Sequence, residues 1–278
     1  MLKITEPATL KRVRRLEQEH IQKYDGIINW DKMPFRKVWY FANLIDVKKI
    51  IDQKPVLGFL ETAGYYKHAF ACFFRNLKDK RKFESLLPKE KIILDINSFH
   101  SKPISLFDVS HNIEKDRMTE EEEKITKKDI KILECVCEGG GRLSLWDISK
   151  KIGLTYEIVR YRFKKLVSAG YFSRFIAQPN STKFGITTIY VHLQFKRKVP
   201  IEKLERIKQT LGYLICEDNN VLVPIFTNSF HNYVDEISSI LDQFRDELKK
   251  VDFYPIKNAL LLNRYPFEYL LRKTARAK

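Results

Sequence analysis

Residues 126–170 have the sequence TKKDIKILECVCEGGGRLSLWDISKKIGLTYEIVRYRFKKLVSAG, and this stretch decides the fold of its part of the chain. Apolar residues recur in it at helical spacing in three short runs, and glycines lie between the runs. Each run follows a hydroxyl side chain that can cap a helix N-terminus: Thr126, Ser144 and Thr155. Because Gly153 closes the second run, the pattern predicts a helix, a tight turn and a last helix over Thr155–Ser168.

The last predicted helix has a polar face opposite its apolar side. Polar residues recur there at i, i+3, i+4 and i+7: Glu157, Arg160, Tyr161 and Lys164. A solvated face on an ordinary helical bundle would have the same spacing. However, the chain of 278 residues carries 51 basic and 35 acidic residues, and its net charge of +16 favours a polyanionic partner. The helices and the charge together predict that this helix enters the major groove of double-stranded DNA.

Two groups of residues are the predicted DNA contacts. The group nearest the N-terminus of the last helix is expected to reach base edges: Tyr156, Glu157, Arg160 and Tyr161. The capping residue Thr155 is also a predicted DNA contact. The second group is expected to hold phosphates from the helix and from a wing-like segment after it: Arg162, Lys164, Lys165, Arg174 and Lys183.

The same stretch resembles the DNA-binding half of the Lrp/AsnC (feast/famine) transcriptional regulators. That family has a D-x-x-I-L segment, a glycine-containing turn and a last helix that ends in R-h-x-x-L-x-x-x-G. The residues that fill those places here are Asp129, Ile132, Leu133, Ile148, Gly153, Leu154, Thr155, Val159, Arg162, Phe163, Leu166 and Gly170. The resemblance implies a sequence-specific transcriptional regulator with a winged helix-turn-helix.

A second basic helix is predicted near the N-terminus. Residues from Ile4 onward are similar to the last helix of the central motif from Leu154 onward. Its basic residues are Lys11, Arg12, Arg14 and Arg15. Unless translation starts upstream, the two helices that should precede it are lacking, so a partial helix-turn-helix is expected. Either this helix contacts DNA phosphates weakly or its role is purely structural, and the sequence leaves both alternatives open.

Each basic helix is followed by the same predicted order of elements, β-α-β-β-α-β, which is the ferredoxin-like arrangement. In the second copy the two helices are expected over Ile201–Leu211 and Phe230–Leu248. The effector domain of the Lrp/AsnC regulators has this fold. The resemblance therefore implies a tandem duplication whose two sheets form a pseudo-dimer inside one chain. The predicted fold class is α+β, with a winged helix-turn-helix and two ferredoxin-like domains.

The chain is expected to divide into five segments. They are a partial helix-turn-helix remnant (1–34), a first ferredoxin-like domain (35–99), a linker (100–125), the helix-turn-helix domain (126–184), and a second ferredoxin-like domain with a basic tail (185–278). Pro103 and the acidic run Glu120–Glu123 indicate the linker. The sequence has no apolar run of about 18 residues and no signal-peptide pattern, so a cytoplasmic protein without a membrane partner is expected.

Family members often bind an amino acid beside a glycine-containing turn of the effector domain. The resemblance implies such an effector site at Thr62, Gly64 and Tyr66, although a simple hairpin turn explains the same residues. The second copy has Glu217–Asn220 at this place and lacks the glycine. A regulator that senses nothing, and that recruits or blocks the basal transcription machinery, is therefore a further hypothesis. A homodimer would bring together two intact DNA-binding motifs.

Catalytic and metal-binding motifs are missing from the sequence. The chain has no P-loop, no nucleophile elbow and no histidine pair at metal-ligand spacing, so neither a metal, a cofactor nor an enzymatic activity is expected. One enzymatic alternative stays open, because siroheme decarboxylases resemble Lrp/AsnC proteins in both domains and come as paired halves. In that case His68 and His192 would be the first candidates for proton transfer.

Overall fold

The computed structural model describes residues 6–19, 21–29, 32–33, 35–101, 125–138, 143–179, 183, 185–207, 210 and 212–261. The chain folds into two compact units. A helical unit combines Met1–Lys32 with Lys115–Gly185, and a barrel unit combines Met33–Glu114 with Ile186–Lys278. Most of the predicted linker 100–125 and the basic tail after Leu261 lie outside the described residues.

The described residues form eight helices and ten strands. In order they are α1 (Glu6–Glu19), β1 (Ile21–Ile28), β2 (Arg36–Ala42), α2 (Val47–Ile51), β3 (Val56–Thr62), β4 (His68–Phe74), α3 (Leu77–Glu84), β5 (Lys91–Ser101), α4 (Lys127–Glu138), α5 (Leu145–Ile152), α6 (Tyr156–Ser168), β6 (Phe172–Pro179), β7 (Thr187–Phe195), α7 (Ile201–Leu204), β8 (Gly212–Cys216), β9 (Asn220–Thr227), α8 (Phe230–Phe244) and β10 (Leu248–Leu261).

The helical unit contains the three predicted helices of the central motif as α4, α5 and α6. Their apolar faces meet in a small core in which these side chains are buried: Ile132, Leu133, Ile148, Val159 and Leu166. These residues lie on the inward side that the helical spacing predicts. The winged helix-turn-helix prediction is therefore confirmed.

A two-stranded sheet in the helical unit corrects the predicted segmentation. Strand β1 pairs antiparallel with β6, so that Asp25 lies opposite Ile176. Residues 1–32 thus belong to the same compact unit as the helix-turn-helix, instead of forming a separate remnant. The pairing joins strands that are far apart in sequence. A local pattern of residues does not reveal such a partner.

The barrel unit contains a closed eight-stranded barrel in the order β10-β3-β4-β2-β5-β8-β9-β7. The first half contributes β3-β4-β2-β5 and the second contributes β8-β9-β7-β10. Both runs have the ferredoxin-like strand order, so the fold class is confirmed. The halves join antiparallel where β5 meets β8 and where β10 meets β3. Closure pairs every sheet edge of the two halves, which an isolated half would expose.

The barrel has an aromatic interior, and further apolar cores lie between each half and its helices. The interior contains Phe41, Tyr66 and Tyr254 among its buried residues, and the ring centroids of Phe41 and Tyr254 are 4.1 Å apart. The helix-side cores differ in composition: Phe59, Phe70 and Phe74 dominate the first half, whereas aliphatic residues dominate the second.

Two helices of the second half are shorter than predicted. α7 ends at Leu204 rather than Leu211, and α8 ends at Phe244 rather than Leu248. Leu248 instead begins β10, where it lies opposite Phe195 of β7. Hydrogen bonding to β7 therefore replaces the last predicted helical turn. Within the described residues, no helix has the length and apolarity needed to cross a membrane.

Candidate nucleic-acid interface

The start of each helix in the helix-turn-helix is fixed by a side-chain cap. Ser144 caps α5 in a reciprocal capping box, in which the carboxylate of Asp147 accepts from the backbone N–H of Ser144 at 3.1 Å. These hydrogen bonds lower the pKa of Asp147. Gly153 ends α5 with φ = +67°, a left-handed conformation that favours glycine. Thr155 then accepts from the N–H of Ile158 at 3.4 Å, so α6 begins directly after the turn.

Helix α6 presents the predicted polar face to solvent. The side chains of Glu157, Arg160, Tyr161 and Lys164 are exposed, and Tyr161 is 66% exposed. On the opposite side Val159 and Leu166 are fully or almost fully buried. The structure therefore brings these four predicted DNA contacts together on one exposed helix face, the geometry that a recognition helix needs.

Arg162 has a different environment from the one predicted for it. Its guanidinium Nη1 donates to Oδ1 of Asp129 at 3.0 Å and to Oγ1 of Thr126 at 2.9 Å. The side chains of Arg162 and Asp129 are 26% and 11% exposed. This ion pair ties α6 to the start of α4, and the phosphate role expected for Arg162 stays a prediction. Asp129 also accepts from the backbone N–H of Thr126 at 2.8 Å, so this carboxylate is hydrogen-bonded both to the residue before α4 and to α6.

The remaining predicted contacts of this unit are placed as follows. Lys165 is half-buried, and its ammonium lies 6.0 Å from the ring centroid of Tyr161. The backbone of Arg174 pairs with Ile27 in the β1–β6 sheet, and its side chain is outside the described residues. Lys183 is exposed.

The sequence analysis missed an exposed tryptophan beside α6. Trp146 on α5 is 54% exposed, and its ring centroid lies 6.3 Å from that of half-buried Tyr156. The ammonium of Lys150 lies 5.0 Å from the Trp146 ring centroid, at cation–π distance. The inward spacing of Leu145 and Ile148 already assigns position 146 to the outer face of α5, so the signal was present in the sequence.

The N-terminal helix α1 carries the second predicted basic group. Its four basic side chains, Lys11, Arg12, Arg14 and Arg15, are exposed. Arg15 forms an ion pair with Glu19 at 3.1 Å. Val13 and Leu16 on the same helix are also exposed, at 40% and 50%. The helix therefore offers positive charge to solvent.

The predicted effector residues lie in a closed turn between β3 and β4. Thr62 donates its hydroxyl to the carbonyl of Tyr66. A Cβ at Gly64 would lie 2.6 Å from the ring of Tyr254 and 2.7 Å from the carbonyl oxygen of Phe253. Burial raises the pKa of Tyr66. The assignment of an effector to these three residues stays a prediction.

The two histidines that the sequence analysis singled out are both buried. His68 Nδ1 accepts from the backbone N–H of Leu44 at 3.2 Å, and desolvation lowers the pKa of His68. His192 contacts Oδ1 of Asn220 at 2.9 Å through Nε2 and Oδ2 of Asp252 at 3.3 Å through Nδ1. Among the described residues, no group of three or more His, Cys, Asp or Glu is arranged to hold a metal ion.

Comparison with known proteins gives one sequence relative and a set of structural neighbours. The proline dehydrogenase transcriptional activator of Rhizobium radiobacter is 41% identical over 113 residues, which cover 38% of this chain and 72% of that protein. No family model matches the chain. The crystal structure of the siroheme decarboxylase NirDL has a TM-score of 0.62 at 12% identity and covers 99% of this chain and 90% of that one. E. coli AsnC has a TM-score of 0.41 at 18% identity, over 52% of this chain and 99% of its own.

The expectation that the chain is not an enzyme is wrong. The structure that matches it over 99% of its length is that of a decarboxylase, and a second structure of that protein, in co-complex with an iron-uroporphyrin III analogue, matches with the same TM-score of 0.62. The expectation rested on the lack of catalytic sequence motifs. Such motifs mark only some chemistries, and one fold can host both catalysis and binding.

Proposed function

The chain belongs to the family of the proline dehydrogenase transcriptional activator, and on that premise we propose that it is a sequence-specific DNA-binding transcriptional regulator of Lrp/AsnC type. The observation that carries this proposal is the exposed face of α6. Helix α6 follows a capped α5 and a glycine turn, and its outward side presents Arg160, Tyr161 and Lys164. A helix with this support and this face fits the major groove.

The polar residues on α6 divide into two roles. Tyr156, Glu157 and Arg160 lie in the N-terminal part of the helix, which reaches base edges in helix-turn-helix complexes. Arg160 is suited to guanine because its guanidinium can donate two hydrogen bonds to O6 and N7. Lys164 and Lys165 lie further along and supply charge for phosphates. Arg162 orients the helix through Asp129 and is not assigned to DNA.

The experiment that tests this proposal is duplex binding by the full chain at two salt concentrations, against genomic fragments that include its own promoter. Wild-type protein is expected to select particular fragments and to lose affinity as salt rises. Arg160→Ala should cost about 1–3 kcal/mol on the preferred site and relax its sequence preference. Lys164→Ala should weaken binding to all sequences alike and reduce the salt slope by about one unit. No binding at low salt would refute the regulator proposal.

Further parts of the proposal concern partners. A homodimer would present two copies of α6, so the preferred site should contain two half-sites related by a two-fold axis. Basic α1 would add phosphate contacts, and the wing would contribute Arg174 and Lys183.

The regulator would act in the cytoplasm, together with the DNA, either by sensing an effector at Thr62–Tyr66 or by contacting the transcription machinery directly. The similar order of elements in the two halves of the barrel supports a tandem duplication.

A second candidate function is a tetrapyrrole decarboxylase. One observation favours it, namely the architecture that the chain shares with a siroheme decarboxylase over 99% of its length. The test is titration with iron-uroporphyrin III, followed by the shift of its Soret absorbance and by analysis for released carbon dioxide. A saturable shift that His192→Leu abolishes would support this candidate. An unchanged spectrum at tens of micromolar porphyrin would refute it without affecting the DNA test.

A further inference from the structure

Trp146 is an exposed indole at the end of the helix-turn-helix where α6 begins. It is 54% exposed although tryptophan is usually buried for most of its area. A single exposed apolar residue is common and needs no explanation. Trp146 differs because its ring has two neighbours, an aromatic ring and a cation. Tyr156 packs at a centroid distance of 6.3 Å, and the Lys150 ammonium lies 5.0 Å from the ring centroid.

This arrangement ties an exposed surface of α5 to the first turn of α6. Trp146 lies in the first turn of α5, which the capping box of Ser144 fixes, and Tyr156 is the first residue of α6. The Lys150 side chain is exposed while it rests on the indole, and its charge also helps to lower the pKa of neighbouring Asp147. A cation whose position is already restricted loses less conformational freedom on binding than a mobile lysine.

We propose that Trp146 and Lys150 form a clamp for one phosphate of the DNA backbone that flanks the groove entered by α6. The indole N–H is a donor only and Lys150 is a cation, so both groups suit a phosphate oxygen. In helix-turn-helix complexes the helix before the recognition helix crosses the backbone, and α5 has that position here. The clamp adds a phosphate contact to the proposed DNA interface, and it rests on the proposed DNA-binding function.

Two conservative variants test the clamp in the full-length protein. Trp146→Phe keeps a ring under Lys150 and removes the N–H donor, and Lys150→Gln removes the charge. Trp146→Phe should weaken binding about tenfold for every duplex, since a hydrogen bond to a charged group contributes a factor of about ten or more in affinity. Lys150→Gln should lower the slope of log affinity against log salt by about 0.9. Both positions are exposed, so the thermal midpoints should equal that of the wild type.

Matched controls are available on the barrel unit. Lys89→Gln and Lys257→Gln each remove an exposed charge from the barrel unit. Neither should change duplex affinity or its salt dependence. A second readout is tryptophan fluorescence. DNA should quench the emission of the wild-type protein and should quench the emission of Trp146→Phe much less.

The outcomes separate the clamp from the function on which it rests. If the wild type binds DNA and both variants bind with unchanged affinity and salt slope, the clamp is refuted and the regulator proposal stands. If Trp146→Phe alters affinity for only some sequences, Trp146 contacts bases and the phosphate assignment is overturned. If the wild type binds no duplex at low salt, the clamp and the regulator proposal both fail.

Discussion

Arg162 and Lys164 lie two residues apart on α6 and have different environments. Arg162 forms an ion pair with Asp129, whereas Lys164 is exposed to solvent. Arg162→Ala would leave the carboxylate of Asp129, 11% exposed, without the guanidinium at 3.0 Å. A hydrogen bond to a charged group contributes about 1.5–3 kcal/mol, and the 26% exposure of Arg162 allows some screening by solvent. We therefore expect Arg162→Ala to destabilise the helical unit by about 1–2 kcal/mol. Lys164→Ala, at an exposed position, should change stability by less than about 0.5 kcal/mol.

Amide hydrogen exchange measures this effect in the helical unit separately from the barrel unit. Arg162→Ala should lower the protection of α4 and α6 about 5- to 30-fold, while Lys164→Ala leaves it unchanged. A double-mutant cycle with Asp129→Asn should give a coupling energy of about 1–2 kcal/mol. If Arg162→Ala instead leaves protection intact and lowers the salt slope of DNA binding as Lys164→Ala does, Arg162 contacts phosphate and the ion-pair argument is refuted.

Three further predictions concern stability. Because desolvation lowers the pKa of His68 below its unfolded value, the stability that neutral His68 contributes is fully present above about pH 6.5 and is lost as pH falls through the folded pKa. In urea titrations from pH 7.5 to 5, His68→Asn, which keeps an acceptor, should therefore lose less unfolding free energy than the wild type, and an equal loss in both proteins would count against this assignment. Gly64→Ala should destabilise the barrel unit by about 1–3 kcal/mol, since the new Cβ meets the Phe253 carbonyl at 2.7 Å, and an unchanged urea midpoint would contradict the packing. Gly153→Ala should cost about 1–2 kcal/mol through backbone strain alone, because nothing lies within 4 Å of its Cβ position; unchanged exchange protection of α5 would show that the strain is absent.

The exposed face of α6 was predictable because helical periodicity is a local property. The positions of Val159 and Leu166 fix the inward side, and residues on the other side of the helix must then face outward. The caps at Ser144 and Thr155 were predictable for the same reason, since each acts within three residues of its own position.

Contacts between distant residues were not predictable in the same way. Arg162 and Asp129 lie 33 residues apart, and helical spacing places Arg162 beside the inward side of α6 without indicating its partner. The pairing of β1 with β6 spans an even larger separation. The end of α7 was also missed, because Leu204 and Ile207 are both buried and keep the apolar spacing although the helix ends at Leu204. Apolar spacing reports which side is buried, and it does not report where backbone hydrogen bonding changes.

An architecture shared with a decarboxylase leaves the function to be decided by individual polar groups. A general base needs a ring nitrogen that can reach its substrate. Both ring nitrogens of His192 are directed at protein groups, one at Asn220 and one at Asp252, and Nδ1 of buried His68 is bonded to the backbone. Catalysis at His192 would therefore require a rearrangement that frees one of its ring nitrogens. The polar groups on α6 and the Lys150 ammonium are already exposed, so DNA can bind them without such a rearrangement. This difference in accessibility is the physical reason for testing duplex binding before porphyrin binding.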